Sequence, residues 1–287
     1  MISERQRRVL DAYLNNDGNC AKAAVELGIS RQAVSKSMRS IRAGGLIPQE
    51  RKTILIISDM HVPYNHRDTL DFYRAVKSEF CITEVKNVGD IVDNHMMSYH
   101  EYETDAMGPR EEYLVARKTL KELETIFPEM TISMGNHCSL NVRKAKTAGI
   151  PLDFLKDYNE LYGLNGGWNW VEDELFELGN GQQCYMTHSV SANTRVNAYK
   201  FSHCSVQGHH HGEFCISYYA DQLTLNWAMS VGCTVDHNAP AMRYAAGNRN
   251  KKPIIGCGII IDGVPALIPM RLGKAGKWDG TLSLARK

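Results

Sequence analysis

The sequence predicts an α/β protein in which two β-sheets pack together between flanking helices, with a small all-α domain in front of them. Apolar runs alternate with amphipathic segments across residues 53–134, and this order of strands and helices is typical of a parallel α/β layer. Residues 168–270 instead carry short β-like runs separated by turn residues, which predicts a second group of strands. Residues 3–44 contain three short amphipathic segments, and these are expected to form helices.

The three N-terminal helices are predicted from their caps. Ser3 and Gln6 have the spacing of a capping box, so the first helix begins there. Gly28 suits the left-handed position after the second helix, and Ser30 suits the N-cap of the third. The predicted helices are Ser3–Asn15, Asn19–Leu27 and Ser30–Arg42. Their apolar positions, which we expect to pack together, are Val9, Leu10, Tyr13, Leu14, Ala21, Ala24, Val25, Leu27, Val34, Met38 and Ile41.

This segment resembles a helix-turn-helix. A small residue, Ala24, lies inside the second helix, Gly28 occupies the turn, and Val34 can pack the third helix back onto the second. The resemblance implies contact with nucleic acid, but a structural or oligomerising cap with a solvated basic face is the alternative. The expected nucleic-acid contacts are Arg31, Gln32, Ser35, Lys36, Arg39 and Arg42.

Charge is unevenly distributed along the chain. Residues 1–46 contain eight Lys and Arg against four Asp and Glu, whereas the rest of the chain contains 25 against 28. A basic segment next to a mildly acidic one is consistent with an N-terminal domain that attracts phosphates. DNA is therefore the expected partner, and a homo-oligomer remains open.

Composition excludes several classes of protein. The chain has 287 residues, of which 43% are hydrophobic, so it can build a large core. It has no apolar stretch of membrane-spanning length, and Met1–Arg5 lacks the pattern of a signal peptide. Eight Cys without a Cys-x-x-Cys pair favour reduced thiols. A soluble, cytoplasmic protein without membrane contact is expected.

Polar blocks follow three predicted strands in the first half. The strand at 53–57 leads into Asp59 and His61. The run at 85–88 leads into Gly89-Asp90, and the run at 130–134 leads into Gly135-Asn136-His137. Because parallel strands present their carboxyl ends at one edge of a sheet, these side chains should lie together. Intervening helices are predicted to begin at Asp68, as an N-cap, and at Pro109, in a first turn.

The second half should supply the remaining polar groups. An isolated His188 follows the run at 183–187, and Gly208-His209-His210-His211 comes further along. Gly179-Asn180-Gly181 and Asp262-Gly263 read as hairpin turns. The strands predicted here are 168–171, 175–178, 183–187, 214–218, 223–229, 254–261 and 264–270.

These blocks resemble those of the calcineurin-like metallophosphoesterases over roughly residues 53–270. The matching elements are Asp-x-His, Gly-Asp-x-x-Asp, Gly-Asn-His, an isolated His and Gly-His-x-His, in the order of that family. The resemblance implies a four-layer α/β/β/α metallophosphoesterase sandwich. The domains then predicted are 1–46 (helix-turn-helix-like), 47–52 (linker), 53–273 (metallophosphoesterase) and 274–287 (basic tail).

The resemblance also implies a site that holds two divalent metal ions. Mn is the first candidate, with Fe, Zn and Ni as alternatives, because the same oxygen and nitrogen ligands accept all of them. Asp59, His61 and His211 would bind one metal, and Asp90 would bridge to the other. The implied metal ligands are Asp59, His61, Asp90, Asn136, His188, His209 and His211. His137 would protonate the leaving oxygen, with Asp93 as its partner.

Two departures from the family narrow the activity. Asn94 stands where the protein Ser/Thr phosphatases of this superfamily carry an Arg that grips phosphate, and Cys138 stands where they carry a Glu. A protein phosphatase is therefore disfavoured. Arg143, Lys144, Arg195 and Lys200 are alternative phosphate contacts or solvated surface charges. A mononuclear zinc site from His203, Cys204 and Cys215 is the rival metal hypothesis.

The leading functional hypothesis is a phosphodiesterase or nuclease that acts on DNA, delivered to it by the N-terminal helices. Such a fusion would suit a phage or mobile element. One alternative is a phosphatase or small-nucleotide phosphodiesterase whose N-terminal helices only mediate assembly. The other is a DNA-binding regulator with an inert metal domain.

Overall fold

A computed structural model describes residues 3–16, 20–43, 52–99, 105–220, 222, 224–239 and 252–284. The side chains of Leu14, Arg39, Arg42 and Ala43 lie outside the described part of the chain. The chain divides into two compact units, Met1–Arg51 and Lys52–Lys287.

The first unit is a bundle of three helices, as predicted. These helices are α1 (Glu4–Asn15), α2 (Cys20–Leu27) and α3 (Arg31–Ala43). The capping box is formed: the Ser3 amide donates to Gln6 Oε1 at 2.9 Å and the Gln6 amide donates to Ser3 Oγ at 3.2 Å. Ser30 Oγ accepts from the Ala33 amide at 3.1 Å, and Gly28 has the left-handed φ of 65°.

The core of this bundle differs from the prediction on α2. Val25 is 83% exposed and Ala21 is also exposed, whereas Ala23 is fully buried. The buried face of α2 therefore runs through Ala23 and Ala24. The small side chains of Ala23 and Ala24 let α2 approach its neighbours closely, and the larger Val25 lies on the exposed face. The buried residues of the bundle are Val9, Ala12, Ala23, Ala24, Val34, Met38 and Ile41.

The second unit begins with a six-stranded sheet in the order β11-β10-β1-β2-β3-β4. Strands β1 to β4 are parallel, and β10 and β11 add an antiparallel edge. All five residues of β1 are buried, as expected for a strand covered on both faces. The strands are β1 (Thr53–Ile57), β2 (Glu84–Asn87), β3 (Met130–Ser133), β4 (Trp168–Val171), β10 (Gly256–Ile261) and β11 (Val264–Pro269).

The second sheet has five strands in the order β5-β6-β7-β9-β8. The predicted turn at residues 179–181 joins the antiparallel pair β5 and β6. Strand β7 was not predicted, and it lies parallel to β6 and to β9 in the middle of the sheet. The strands are β5 (Glu174–Glu177), β6 (Gln183–Met186), β7 (Cys204–Gln207), β8 (Phe214–Ala220) and β9 (Leu225–Val231).

The two sheets pack face to face, which confirms the predicted four-layer α/β/β/α sandwich. Ile54 and Ile56 of the first sheet belong to one buried cluster with Met186, Val206 and Met229 of the second. The opposite face of the first sheet packs against α4 (Thr69–Phe80) and α5 (Pro109–Ile126) in the largest buried cluster. Helix α8 (Thr194–Phe201) covers the second sheet, where Thr194 Oγ1 lies 2.9 Å from Ser230 Oγ.

The helices of this unit are α4 (Thr69–Phe80), α5 (Pro109–Ile126), α6 (Leu140–Thr147), α7 (Tyr158–Tyr162) and α8 (Thr194–Phe201). Pro109 opens α5, as predicted. Asp68 occupies the N-cap position of α4, as predicted, but its side chain makes no cap bond and instead accepts from the Trp278 amide at 2.9 Å.

Strand β4 belongs to the first sheet, not to the second group of strands in which the sequence placed it. Helices α6 and α7 connect β3 to β4, and they return the chain so that Met130 and Trp168 pair in parallel register. Neither helix has a long apolar period, which is why the crossover was missed.

Residues 274–284 pack on α4. The Trp278 ring meets the Phe72 ring edge-on at 5.6 Å, and His66 Nε2 lies 2.9 Å from the Gly276 carbonyl oxygen. Among the described helices, none is long and apolar enough to cross a membrane.

Candidate metal centre

The predicted polar blocks meet where strands β1, β2, β3, β6 and β7 end. Asp59, His61, Asp90 and His209 have φ values of 44°, 48°, 47° and 63°, so each turns in the left-handed region just after its strand. Such a conformation is costly for residues other than Gly, and it is concentrated at functional sites. A backbone hydrogen bond joins two of these turns, since the His61 amide donates to the Asp90 carbonyl oxygen at 2.9 Å.

One group of ligands consists of Asp59, His61 and His211. Their ligand atoms lie within 4.8 Å of one another. His211 Nε2 is 3.2 Å from Asp59 Oδ1 and 3.2 Å from His61 Nε2. Asp59 Oδ2 accepts from the His209 amide at 2.8 Å, which leaves Oδ1 facing the two imidazoles. The structure thus brings together the three residues expected to bind the first metal.

A second group consists of Asp90, His188 and His209, whose ligand atoms also lie within 4.8 Å of one another. His188 Nε2 is 3.1 Å from Asp90 Oδ2 and 3.0 Å from Asn136 Oδ1. Asp90 Oδ2 is in turn 3.9 Å from His61 Nε2 of the first group. Asp90 therefore lies between the two groups, as a bridging ligand would.

The facing ligand atoms of the two groups are better suited to binding cations than to hydrogen-bonding with one another. His188 Nδ1 lies 2.8 Å from the Val88 carbonyl oxygen and donates to it, so a neutral His188 directs an Nε2 lone pair at Asp90 and Asn136. His61 Nδ1 lies 2.6 Å from Asp93 Oδ1, which likewise directs its Nε2 inward. Lone pairs that converge on each other require positive charge between them, and outer hydrogen bonds of this kind are typical of metal-binding histidines.

Electrostatics in the centre also favour positive charge. Burial alone would lower the pKa of His61, but hydrogen bonds with Asp59 and Asp93 raise it to about 10. Burial acts in the same way on His188, and the charge of Asp90 raises its pKa to about 9. Burial would raise the pKa of Asp59, but hydrogen bonds from His211 and His61 hold it well below its usual range. The centre therefore attracts protons or metal ions strongly.

Two glycines allow the backbone to approach the buried carboxylates. A Cβ added at Gly135 would lie 1.9 Å from Asp90 Oδ1, and one added at Gly208 would lie 2.1 Å from Asp59 Oδ2. Any other residue at these positions would displace a ligand oxygen. The glycines of the Gly-Asn-His and Gly-His-x-His blocks are thus required by close packing.

Asp93 contacts two histidines of the centre through one carboxylate oxygen. Its Oδ1 is 2.6 Å from His61 Nδ1 and 3.2 Å from His137 Nδ1, while His137 Nδ1 lies 2.7 Å from the Asp93 carbonyl oxygen. The sequence predicted only the pairing with His137. Its role in orienting His61 was missed, as was that of the Val88 carbonyl, because a sequence motif carries no signal for an outer contact through the backbone.

The two residues that depart from the protein phosphatases have structural contacts. Asn94 Nδ2 donates to the His137 carbonyl oxygen at 3.1 Å, so it braces the loop that carries His137. Cys138 is fully buried, and burial raises the pKa of its thiol to about 12. It is therefore a neutral core residue.

The other predicted contacts lie further out. Arg143 and Lys144 lie over the Tyr99 ring, at 5.0 and 3.8 Å from its centroid. Arg195 and Lys200 are exposed on α8. Among the described residues, His203, Cys204 and Cys215 form no metal-binding group, since Cys204 is buried in β7 and Cys215 Sγ lies 3.1 Å from Thr194 Oγ1. The mononuclear zinc hypothesis therefore has no structural support.

The predicted nucleic-acid contacts lie on α3. Arg31, Gln32 and Lys36 are exposed and Ser35 is half-buried. Ser30, Arg31, Gln32 and Ser35 line a shallow depression at the beginning of the helix. The side chains of Arg39 and Arg42 lie outside the described part of the chain.

Comparison with known protein families gives one match that covers this centre. A sequence profile described as calcineurin-like phosphoesterase matches residues 52–235, a segment that contains all of the candidate ligands. No curated protein sequence matches the chain.

Several solved structures are similar to the chain at low identity. Vacuolar Protein Sorting 29 from Cryptosporidium parvum is 13% identical, with 82% of this chain and 96% of that chain covered and a TM-score of 0.43. YfcE, a phosphoesterase from E. coli, is 11% identical, with 81% and 98% covered and a TM-score of 0.41. The nuclease MPE from Pseudomonas putida is 14% identical, with 75% and 86% covered and a TM-score of 0.34.

Proposed function

The chain belongs to the calcineurin-like phosphoesterase family, and we propose that it is a phosphodiesterase or nuclease that cleaves DNA with two divalent metal ions, Mn being the first candidate. The observation that carries the proposal is the position of Asp90 between two groups of ligand atoms, 3.1 Å from His188 Nε2 and 3.9 Å from His61 Nε2. A shared carboxylate is what a two-metal site requires.

The residues that would hold the ions are those of the two ligand groups described above. Asp59, His61 and His211 would hold one ion; His188, His209 and Asn136 would hold the other, with Asp90 shared. When bound, a pair of ions neutralises the phosphoryl oxygens and supplies a deprotonated water.

In this proposal, His137 moves the proton. Its Nδ1 is engaged by the carbonyl oxygen and carboxylate of Asp93, so Nε2 is the ring nitrogen left to carry a proton to a leaving oxygen. The buried Asp93 carboxylate fixes the orientation of the ring through this contact. The backbone of His137 is held as well, because its amide donates to Asp90 Oδ1 at 2.8 Å.

DNA is proposed as the substrate on the strength of the N-terminal unit. The exposed basic face of α3 suits phosphates, and the first residues of a recognition helix are those that meet a groove. The departure at Asn94 argues against a protein phosphatase, since Asn94 Nδ2 donates to the His137 carbonyl oxygen and supplies no cation to hold a phosphate.

The experiment is hydrolysis by the purified full chain with Mn²⁺. Its substrates are single- and double-stranded DNA, a chromogenic phosphodiester and a chromogenic phosphomonoester. We expect cleavage of DNA and of the diester. Activity confined to the monoester would favour a phosphatase, and tight, salt-sensitive binding of duplex without hydrolysis under any metal would favour a DNA-binding regulator.

A further inference from the structure

A cavity lies beside the loop that carries His137, and none of the candidate metal ligands lines it. It has a volume of about 440 Å³ and is lined mostly by apolar side chains, among them Met96, Met97, Tyr113 and Phe154. This volume falls within the range of about 300–1,000 Å³ typical of small-molecule sites. Its wall begins directly after Asp93, because Asn94 and the short 3-10 helix His95–Met97 continue from that residue.

Hydrogen bonds connect this cavity to the general acid. Asn94, which lines it, donates to the His137 carbonyl oxygen at 3.1 Å. Asn141, which also lines it, has its Oδ1 3.0 Å from the Tyr158 hydroxyl, and that hydroxyl is 2.9 Å from the Cys138 carbonyl oxygen. The cavity is therefore linked to the loop that carries His137 through the backbone carbonyls of His137 and Cys138.

The lining is matched to a flat ring with polar edges. Phe154 is 78% exposed at the cavity, so one face of its ring is available for stacking. The amides of Asn94 and Asn141 and the carboxyl of Glu112 lie among the apolar walls. Each of these polar side chains already has a hydrogen bond within the protein. A nucleobase that stacks on the Phe154 ring would meet their remaining polar atoms with its edge.

We infer that this cavity is a subsite for the nucleobase of the leaving nucleoside, with Phe154 as its stacking platform. The inference rests on the proposed function and specifies its substrate: a diester whose leaving group is a nucleoside. It assigns a specificity role to residues 94–97 and 154, which lie outside the metal-binding blocks.

The test compares leaving groups in the full chain with Mn²⁺. The substrates are a thymidine dinucleotide and its two analogues in which the base on either side of the phosphate is replaced by hydrogen. The variants are Phe154→Ala and, as a matched control, Leu152→Ala, which removes a 45% exposed apolar side chain from the same short helix outside the cavity.

We expect loss of one of the two bases to lower kcat/KM about tenfold in the wild type, which corresponds to about 1.4 kcal/mol and lies within the range for stacking a base on an aromatic ring. Phe154→Ala should lower hydrolysis of the dinucleotide by a similar factor and leave hydrolysis of that analogue unchanged. Leu152→Ala should change neither.

The inference is overturned if neither base affects the wild type, or if Phe154→Ala slows the dinucleotide and both analogues equally. Those results would leave the proposed function standing, because the diester is still cleaved. Failure of the wild type to cleave any diester would instead refute the proposed function, and the subsite with it.

Discussion

His137 and Asp90 lie on the loops that follow β3 and β2, and they have separable tasks. The His137 amide donates to Asp90 Oδ1, while its ring contacts Asp93. We expect His137→Ala to keep both metal ions and to lower kcat about 10²–10⁴-fold, the usual contribution of a general acid. Metal content by elemental analysis and turnover of the chromogenic diester check this. His210→Ala is the control, because His210 belongs to none of the ligand groups among the described residues. Loss of metal from the His137 variant would contradict the assignment.

Gly135 tests whether close packing positions the bridging carboxylate. A methyl group there would lie 1.9 Å from Asp90 Oδ1, so Gly135→Ala should displace Asp90 and reduce metal binding and turnover together. Gly108→Ala is the control, since an added Cβ at that glycine meets nothing within 4 Å. Titration calorimetry with Mn²⁺ measures the effect. Unchanged Mn²⁺ affinity in the Gly135 variant would show that Asp90 is not held by this contact.

Glu112 makes stability depend on pH. Burial raises the pKa of its carboxyl from 4.5 to about 7, although the His95 amide donates to its Oε1 at 2.8 Å. The folded protein therefore holds a proton that the unfolded chain releases between these values, so this group's contribution to stability falls as pH rises from about 4.5 to 7. Glu112→Gln should unfold at higher urea than wild type at pH 8, with a smaller difference at pH 5.

The control for that measurement is Glu111→Gln, which changes the exposed neighbour on the same turn of α5. It should leave the difference between pH 5 and pH 8 as it is in the wild type. A Glu112 variant that loses stability at both pH values equally would indicate that only the hydrogen bond to His95 matters.

At the scale of elements, α3 carries the proposed DNA contacts. Arg31→Ala with Lys36→Ala should weaken duplex binding and reduce the slope of log K against log salt by about two, because each phosphate contact contributes about 0.9. The matched control is Arg5→Ala with Arg8→Ala, which removes two exposed charges from α1. Fluorescence anisotropy across a salt series measures both. Equal slopes for the two double variants would assign the effect to net charge and not to α3.

Elements with strong local signals were predicted well, and those defined by tertiary contacts were not. The buried run of β1 and the caps Ser3 and Ser30 follow from local chemistry. Strand β7 has only four residues, Cys204–Gln207, and two of them are polar. Its strand conformation depends on pairing with β6 and β9, which the local sequence does not reveal.

At the scale of the whole molecule, the sequence predicted the centre because chelating residues recur after successive strands. Parallel pairing of β1, β2 and β3 brings three of those blocks to one edge, and the second sheet adds His188 and residues 209–211. The outer contacts and the cavity beside His137 could not be predicted. They depend on backbone carbonyls and on how α5 and residues 94–97 and 154–156 pack together.

The central claim is that Asp90 is shared by two metal ions, and anomalous diffraction from crystals soaked in Mn²⁺ tests it most directly. The account predicts two anomalous peaks about 3.5–4 Å apart, one beside Asp59, His61 and His211 and the other beside Asn136, His188 and His209, with Asp90 contacting both. A single peak, or two peaks of which only one contacts Asp90, would contradict it.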